Sequence, residues 1–364
     1  MNGMDRTAAV KARLPGLADA APACCVLIVD DSLVMRSVLQ RIVENSPGFK
    51  VSGSVAGAQA ALDHLASHSA DIIILDIEMP RRSGLDALPD LIAASGQARV
   101  LVLSSHCAEG APATVKALAL GASDTLSKPG QHLFNDQFTA LLRQHLHVLA
   151  DAARVSSQGM PPILARPVSP DSALGCLAIG SSTGGISAIH DLLKALDPRV
   201  DAPILITQHL PATFIPYLVR QIGDLGLRPA HIAQDGVAIA PGHIYCAPGD
   251  SHIGLQRHGA EVRIALAPHW PDSAYRPSVD PMFMAVAQCF GARGAGVMLS
   301  GMGSDGLAGA QMLADCGAPI YAQDAKSSTV WGMPGAVARA GLASVVLPPA
   351  QIAQFIADCW LETT

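Results

Sequence analysis

The chain has 364 residues, of which half are hydrophobic and 15% are charged, so it carries enough apolar side chains for buried cores and is not wholly disordered. At roughly 150 residues per domain, this length indicates two domains. The net charge of −6 argues against general nucleic-acid binding, and the low aromatic count (7 Phe, 4 Tyr, 3 Trp) argues against stacking platforms for bases or sugars.

No segment reaches the ~18 consecutive apolar residues of a membrane span, and residues 1–23 lack the apolar stretch of a secretory signal. We therefore expect residues 1–23 to form a disordered tail and the protein to be cytoplasmic. The eight cysteines form no C-x-x-C pair, which favours free thiols in a reducing compartment over disulfides or zinc.

The first region, residues 24–147, alternates predicted strands and helices. Its strand candidates are short and continuously apolar, which is typical of strands buried on both faces of a parallel sheet. They are Cys25–Val29, Ile72–Leu75, Val100–Leu103 and a shorter run at Asp124–Ser127, with helices predicted at Leu33–Glu44 and Ala58–Ser67.

Residues 148–173 contain four prolines among Ser, Gly and Ala, which predicts a linker between domains. The second region, residues 174–364, again alternates strand and helix patterns. Its strand candidates are Cys176–Ile179, Pro203–Thr207, Gly294–Ser300 and Ala318–Tyr321. The turn-rich stretch Ile239–Ile264 predicts β-hairpins.

Polar side chains follow the predicted strands of the first region, at the edge where parallel strands bind ligands. In chain order they are Asp30 and Asp31, Asp76, Ser104 and Lys128. A single acid after a strand is most often a helix N-cap, but that interpretation does not explain four successive strand ends. Gathered carboxylates suit Mg²⁺, and the neighbouring hydroxyl and ammonium suit a phosphoryl group.

These residues resemble the receiver domain of two-component response regulators. The motifs that carry the resemblance are V-D-D-S at 29–32, L-D-I-E-M-P-R at 75–81, Gly84, S-S at 104–105 and S-K-P at 127–129. The resemblance implies a flavodoxin-like, five-stranded parallel sheet. It makes Asp76 the phospho-acceptor, Asp30, Asp31 and Asp76 the Mg²⁺ ligands, and Ser104 and Lys128 the switch pair. Thr125 departs from the pattern, since many receivers carry an aromatic residue there.

The second region opens with a candidate nucleophile. Gly180-x-Ser182-x-Gly184 follows a predicted strand and precedes a helix, which is the context of a nucleophile elbow. A phosphate cradle is a weaker interpretation, because neither common phosphate-binding glycine motif is present. A purely structural glycine turn also remains open on this motif alone.

A serine nucleophile needs a base and an acid that orients it. His209 follows the strand Pro203–Thr207 and should reach the same sheet edge as Ser182, whereas His190 lies about 12 Å along the helix. His243 and His252 stay open as alternatives. The acid candidate is Asp305, in a glycine-rich loop after a strand, where the alternative role is again a helix N-cap.

This region resembles the catalytic domain of chemotaxis protein-glutamate methylesterases, the CheB family. The matching motifs are A-I-G-S-S-T-G-G at 178–185, I-T-Q-H at 206–209, A-P-G-D at 247–250, R-P-S-V-D at 276–280, S-G-M-G-S-D-G at 300–306 and G-M-P at 332–334. The resemblance implies a doubly wound α/β domain without a cofactor. It makes Ser182 the nucleophile, His209 the base and Asp305 its orienting partner.

Three further residues are carried over as candidates for the oxyanion hole or substrate pocket. They are Thr183 and Met302, through their backbone amides, and Tyr275, which stands where the family often has His. A Tyr there keeps a hydrogen-bond donor and loses the ionisable ring.

The combined resemblance implies a phosphorylation-activated hydrolase that removes methyl esters from glutamates of chemoreceptors, and that deamidates receptor glutamines more slowly or not at all. A chemotaxis-type histidine kinase would be the phosphodonor, and the unphosphorylated receiver would cover the Ser182 cleft. Two alternatives stay open: a serine esterase acting on another ester, and a non-catalytic module that binds a partner when phosphorylated.

Overall fold

The computed structural model describes residues 23–361 except 97, 105–110, 130–135, 158–172, 272 and 274. The tail predicted for residues 1–23 therefore lies, apart from Ala23, outside the described residues, and so does most of the predicted linker. None of the described helices combines the length and the apolar character needed to cross a bilayer. The seven cysteines that the structure describes are all free.

The N-terminal half alternates strands and helices. Its elements are β1 (Cys24–Val29), α1 (Leu33–Glu44), β2 (Phe49–Val55), α2 (Ala58–Leu65), β3 (Ile72–Asp76), α3 (Gly84–Ser95), β4 (Arg99–Ser104), α4 (Ala111–Ala119), β5 (Asp124–Ser127) and α5 (Asp136–Ser157). We refer to this half as the receiver region.

The five strands of the receiver region form one parallel sheet in the order β2-β1-β3-β4-β5. The central strand β3 is fully buried along its length, because helices cover both faces of the sheet. This is the flavodoxin-like sheet expected from the sequence. Strand β2 was missed, since an edge strand has one paired side and its sequence FKVSGSV is only partly buried.

The C-terminal half contains nine strands and six α-helices among its described residues, and we refer to it as the catalytic region. Its strands are β6 (Cys176–Ser181), β7 (Ile204–Gln208), β8 (Ala230–Ile232), β9 (Ile244–Cys246), β10 (His252–His258), β11 (Glu261–Ala267), β12 (Gly294–Met298), β13 (Ile320–Gln323) and β14 (Val345–Leu347). Its helices are α6 (Gly185–Ala195), α7 (Ile215–Asp224), α8 (Val279–Phe290), α9 (Leu307–Asp315), α10 (Met333–Arg339) and α11 (Pro349–Leu361).

Seven of these strands form a parallel sheet in the order β14-β13-β12-β6-β7-β9-β8. The chain starts in the middle at β6, winds outward through β7 to β8, and then returns to wind the other way from β12. The sheet is therefore doubly wound, as the sequence predicts, and the strand order reverses between β6 and β12. Ligands of such sheets bind beyond the carboxyl ends of the strands at that point.

Two local predictions need correction. Hairpins were predicted for Ile239–Ile264, but β9 belongs to the main parallel sheet, and only β10 and β11 form an antiparallel hairpin. Helix α5 runs on to Ser157, so ten residues assigned to the linker from 148 onward are helical. The sequence has no proline between residues 129 and 161, so nothing there interrupts the helix.

The two regions contact each other through the amino-terminal edge of the receiver sheet. At the start of β4, Arg99 Nη2 donates to the carbonyl of Ser328 at 3.0 Å. At the start of β5, Asp124 Oδ2 accepts a hydrogen bond from Thr183 Oγ1 at 2.8 Å. The candidate phospho-acceptor Asp76 lies at the opposite, carboxyl edge of the same sheet.

Candidate active site

Ser182 lies in the turn that joins β6 to α6, next to the point where the strand order reverses. Its N–H donates to the Ser300 carbonyl at 2.9 Å, and its own carbonyl accepts from Gln208 Nε2 at 2.9 Å. Gly184 has φ of 72°, a left-handed conformation that suits glycine. The glycines of the motif thus make a sharp turn that leaves Ser182 partly exposed at the sheet edge.

The neighbouring Ser181 is a structural residue. It is fully buried as the last residue of β6, and its hydroxyl donates to Gln208 Oε1 at 2.6 Å. Ser182 therefore remains as the hydroxyl that a substrate can reach.

His209 follows β7 and is fixed beside this turn, because its N–H donates to the Ser181 carbonyl at 3.0 Å. Its ring nitrogen Nε2 lies 2.7 Å from Asp305 Oδ2. An ionised carboxylate only accepts hydrogen bonds, so Nε2 carries the proton and Nδ1 carries the lone pair. Nδ1 is buried and has no hydrogen-bond partner among the described residues, which leaves it free to act as a base.

Asp305 is nearly fully buried and is held by the start of α8. The Ser278 hydroxyl donates to Oδ1 at 2.6 Å, and the Val279 N–H donates to Oδ2 at 2.7 Å. Burial alone would raise the pKa of the Asp305 carboxyl, but the hydrogen bonds from His209, Ser278 and Val279 outweigh burial and lower it. The carboxylate is therefore ionised at neutral pH and can orient the His209 ring.

Ser182 and His209 line the same cavity of about 210 Å³. Among the described residues, no hydrogen bond joins their side chains, as is common before substrate tightens an active site. The receiver region forms the opposite wall with Leu118, Ala122, Asp124 and Thr125. Thr125, the departure noted from receiver sequences, thus lines the same cavity as the candidate nucleophile.

The amides of Thr183 and Met302 lie on the two loops that meet at Ser182. Neither amide donates a hydrogen bond to another described residue. The loops touch, because a Cβ added at Gly301 would lie 2.9 Å from the Ser182 Cβ. Two free N–H groups beside a serine are suited to an oxyanion.

The Tyr275 ring stacks on the His209 ring, with centroids 4.5 Å apart and planes 11° from parallel. The other candidate histidines lie elsewhere. His190 is buried within α6, and His243 pairs with His231 at the far edge of the sheet. His252 accepts the Ser278 N–H at 3.0 Å, so it contacts the loop that holds Asp305 and does not line the cavity.

The polar residues predicted in the receiver region meet at its carboxyl edge. Lys128 Nζ lies 2.6 Å from Asp76 Oδ2 and 3.7 Å from Asp30 Oδ2. The carboxylates of Asp30, Asp31 and Asp76 lie within 4.8 Å of one another. Ser104 ends the neighbouring strand β4 and is buried, and its carbonyl accepts the Lys128 N–H at 2.8 Å.

This carboxylate cluster fits a hard divalent cation. Burial, followed by the charge of Asp76, raises the pKa of Asp30, and burial likewise raises the pKa of Asp76 despite its contact with Lys128. Asp30 Oδ2 is buried without a hydrogen-bond partner among the described residues. An ion with oxygen ligands, such as Mg²⁺, would satisfy this oxygen and offset the crowded negative charge.

Gly84, part of the receiver motifs, has a packing role here. A Cβ at this position would lie 1.9 Å from the Asp76 carbonyl oxygen, so only glycine lets α3 start against the end of strand β3.

Sequence reasoning missed three residues that shape the active site. Ser278 and Gln208 stand inside motifs quoted above, R-P-S-V-D and I-T-Q-H, yet no role was assigned to either. The available signal is that both are polar residues inside these motifs, and that Gln208 directly precedes His209. The contact of Asp124 with Thr183 joins residues 59 apart in sequence and has no local signal.

The fold and the two sites define a two-part protein in which a receiver-type sheet with clustered carboxylates joins an α/β region with a Ser–His–Asp constellation. The model of the response regulator receiver domain matches residues 26–135, and that of CheB methylesterase matches residues 177–356. The chain belongs to the CheB methylesterase family.

Named relatives align with nearly the whole chain. The chain is 42% identical to "protein-glutamate methylesterase/protein-glutamine glutaminase 2" of Caulobacter vibrioides, over 92% of this chain and 98% of the relative. It is 38% identical to the corresponding protein 1 of Paramagnetospirillum magneticum, over 91% and 94%. The solved CheB methylesterase catalytic domain of Thermotoga maritima is 32% identical, with a TM-score of 0.49, covering 50% of this chain and 97% of that one.

Proposed function

We propose that this protein is a phosphorylation-activated protein-glutamate methylesterase that acts on methylated chemoreceptors. The observation that carries the proposal is the His209–Asp305 pair: His209 Nδ1 has no hydrogen-bond partner among the described residues, and His209 lines the same cavity as the partly exposed Ser182. The names of the relatives supply the substrate class, a glutamate methyl ester on a protein.

In the proposed reaction, Ser182 Oγ attacks the ester carbonyl while His209 Nδ1 takes the hydroxyl proton. Asp305 stabilises the imidazolium that forms, and the Thr183 and Met302 amides stabilise the oxyanion. The C–O bond to the methoxy group then breaks, and methoxide takes the proton from His209 and leaves as methanol. Water, activated by the same imidazole, hydrolyses the acyl-serine to glutamate and free Ser182.

The same intermediate forms from a glutamine side chain when ammonia leaves in place of methanol. Ammonia is the poorer leaving group, so we expect deamidation to be slower than demethylation. The relatives are named as glutaminases as well, which supports including this second activity.

The receiver region would accept a phosphoryl group from a histidine kinase on Asp76. Asp30, Asp31 and Asp76 would hold Mg²⁺, which supplies charge neutralisation during phosphoryl transfer. Lys128 and Ser104 would then bind phosphoryl oxygens as the switch pair. We assign these functions to a receiver domain at residues 24–147, continued by the end of α5, and to a catalytic domain at 174–364, in a cytoplasmic protein.

Phosphorylation is proposed to act by uncovering Ser182. The receiver region forms one wall of the catalytic cavity, and Asp124 binds the Thr183 side chain next to the nucleophile. A receptor helix is too large for a cavity of about 210 Å³, so the two walls must separate before catalysis.

The experiment is methanol release from methylated receptor by the full chain, with and without a small-molecule phosphodonor and Mg²⁺. We expect release to rise with the phosphodonor in the wild type, to stay basal in Asp76→Asn and to be absent in Ser182→Ala. Ser181→Ala is the matched control, because it removes a neighbouring hydroxyl that substrate cannot reach, and it should still react with a fluorophosphonate probe.

Full turnover by Ser182→Ala would overturn the proposal. Probe labelling without methanol release would indicate an esterase for another substrate, and no labelling would indicate a non-catalytic module.

A further inference from the structure

The contact between Tyr275 and His209 has no counterpart in the mechanism above. The two rings stack with centroids 4.5 Å apart and planes 11° from parallel, and Tyr275 is half-buried. Asp305 holds the imidazole at Nε2 only, so a second contact on the ring face limits rotation about the Cβ–Cγ bond. The phenol thus fixes the plane in which Nδ1 points.

The position of the phenol group is itself fixed by the catalytic loop. A Cβ added at Gly303, which has φ of 81°, would lie 3.0 Å from the Tyr275 hydroxyl oxygen. The absence of a side chain at Gly303 therefore leaves space for the Tyr275 hydroxyl group. The Tyr275 carbonyl and N–H both bond to the Ser273 hydroxyl, at 2.9 and 3.1 Å, which orders the backbone of Tyr275.

The face of an aromatic ring carries partial negative charge and attracts a cation within about 6 Å of the ring centre. As the proposed base, His209 becomes an imidazolium when it takes the proton of Ser182. The stack therefore stabilises the charged form of His209 more than the neutral form. That difference is the kind of interaction that speeds the chemical step without strengthening substrate binding.

We propose that Tyr275 is a positioning residue that sets the orientation of His209 and stabilises its imidazolium form through ring stacking. The proposal rests on the proposed function, since it assigns His209 as the base. It replaces the substrate-pocket role expected for Tyr275 by one that acts through His209.

Other charged groups near His209 also act on its charged form. Those that face it or act on its partner are Asp305 in direct contact, Asp124 across the cavity, His252 and Asp280 beside Asp305, and Arg276 next to Tyr275 in sequence. All of these groups are retained in variants of Tyr275. A change in the titration midpoint of His209 in such a variant is therefore due to the loss of the Tyr275 ring.

The test combines two variants of the full chain, Tyr275→Leu and Tyr275→Phe. Histidine labelled with ¹³C at Cε1 allows the His209 signal to be followed by NMR, and its loss in His209→Gln assigns it. We expect the titration midpoint of this signal to be about 0.5–1 pH unit lower in Tyr275→Leu than in the wild type, and to return towards the wild-type value in Tyr275→Phe. Trp270→Leu removes an aromatic ring from the same loop that does not stack on His209, and it should leave the midpoint unchanged.

Kinetics provide the second measurement. We expect kcat of methanol release to fall about three- to tenfold in Tyr275→Leu with little change in KM, and the acid limb of its pH profile to move to lower pH. A midpoint within about 0.1 pH unit of wild type in a folded Tyr275→Leu protein, or a Phe variant that behaves like Leu, would overturn the proposal.

The two proposals fail separately. Absence of methanol release by the wild type would contradict the esterase function, while the NMR titration still reports whether the Tyr275 ring stabilises the charged His209. A normal esterase with an unchanged titration midpoint would contradict the stacking role alone.

Discussion

The carboxyl groups of Asp305 and Asp76 are both nearly inaccessible to solvent, yet their surroundings change their pKa values in opposite directions. Asp305 accepts hydrogen bonds from three groups, which overcome the effect of burial and lower its pKa. Asp76 has Lys128 and one backbone N–H from Glu78, and burial prevails, so its pKa is raised. Hydrogen bonds within the protein are enough to stabilise the Asp305 carboxylate. The Asp76 carboxylate would be stabilised further by a ligand that brings positive charge.

Asp305→Asn keeps the size of the side chain but loses the charge and places an amide opposite His209. With the amide in place, Nδ1 is no longer reliably the unprotonated nitrogen, so kcat for methanol release should fall by about 10³- to 10⁴-fold. Circular dichroism and phosphorylation of Asp76 should stay at wild-type levels. A loss smaller than tenfold in kcat would contradict the role given to Asp305.

Mg²⁺ should stabilise the receiver region by binding the carboxylate cluster. At ten times its dissociation constant, a ligand adds about 1.4 kcal/mol to the free energy of unfolding. Thermal unfolding followed with and without Mg²⁺ should therefore show a shift in the wild type that is lost in the double variant of Asp30→Asn and Asp31→Asn. Asp63→Asn is the control, because Asp63 is an exposed acid on α2 outside the cluster. This variant should show the same Mg²⁺-dependent shift as the wild type.

Helix α6 carries a buried histidine that catalysis does not use. His190 is 7% exposed, and its Nε2 has no hydrogen-bond partner among the described residues. Burial, with a smaller effect of the Lys194 charge, lowers its pKa to about 4. The helix that follows the nucleophile is thus anchored by an imidazole that has to stay neutral.

The pH dependence of stability follows from this. Between pH 6.5 and about 4 the unfolded chain binds a proton at His190 that the folded protein does not, so the free energy of unfolding falls as pH falls through that window. At pH 5 the loss is on the order of 2 kcal/mol relative to pH 7. His190→Leu should remove this part of the difference between urea midpoints at pH 7 and pH 5. His258→Leu, at an exposed position, should leave the difference between the two urea midpoints unchanged. Equal effects of the two substitutions would contradict the assignment of this pH dependence to His190.

At the scale of elements, most strands that the sequence identified have two paired neighbours, although the edge strand β5 was identified as well. Their buried faces require continuous apolar runs, and polar residues directly after them mark the functional edge. The edge strands β2, β8 and β14 were missed, because pairing on one side tolerates serine, glycine or a run of three residues. Residues 148–157 were assigned to the linker, although they belong to helix α5.

The geometry of the active site was predictable only in part. Ser182, His209 and Asp305 follow from motif and strand position. Three features depend on side-chain packing between distant segments: the ring nitrogen that faces Asp305, the hydrogen bond from Ser278 to that carboxylate, and the stacking of Tyr275 on His209. Local sequence carries no information on such contacts.

At the scale of the whole molecule, both polar and apolar contacts join the two regions among the described residues. The Thr183 hydroxyl donates to Asp124, and Arg99 donates to the Ser328 carbonyl. Apolar packing adds to these bonds: Val330 and Met302 pack against receiver residues, and helix α4 packs against α6 and α7. In the proposed activation, phosphorylation has to outweigh this packing before the two walls separate.

Asp124→Ala removes the acceptor of the Thr183 hydroxyl without touching the catalytic groups. A hydrogen bond contributes about 1 kcal/mol, so basal methanol release by the unphosphorylated protein should rise about fivefold. The rate with phosphodonor should stay close to wild type, because the contact is already lost in that state. Asp63→Asn again provides the control, and a basal rate equal to wild type in Asp124→Ala would contradict the proposed cover.

Strand β5 ends at the two functional sites: Asp124 touches the nucleophile turn at one end, and Lys128 follows the other, about 13 Å away at 3.3 Å per residue. Thermodynamic linkage makes such coupling reciprocal. If the phosphoryl group at Asp76 favours separation of the walls, then a receptor segment occupying the space between them favours the phosphorylated state by the same free energy. Abundant methylated receptor would thereby stabilise the phosphorylated form of the enzyme that demethylates it. The substrate itself would then take part in setting how much of the enzyme is phosphorylated.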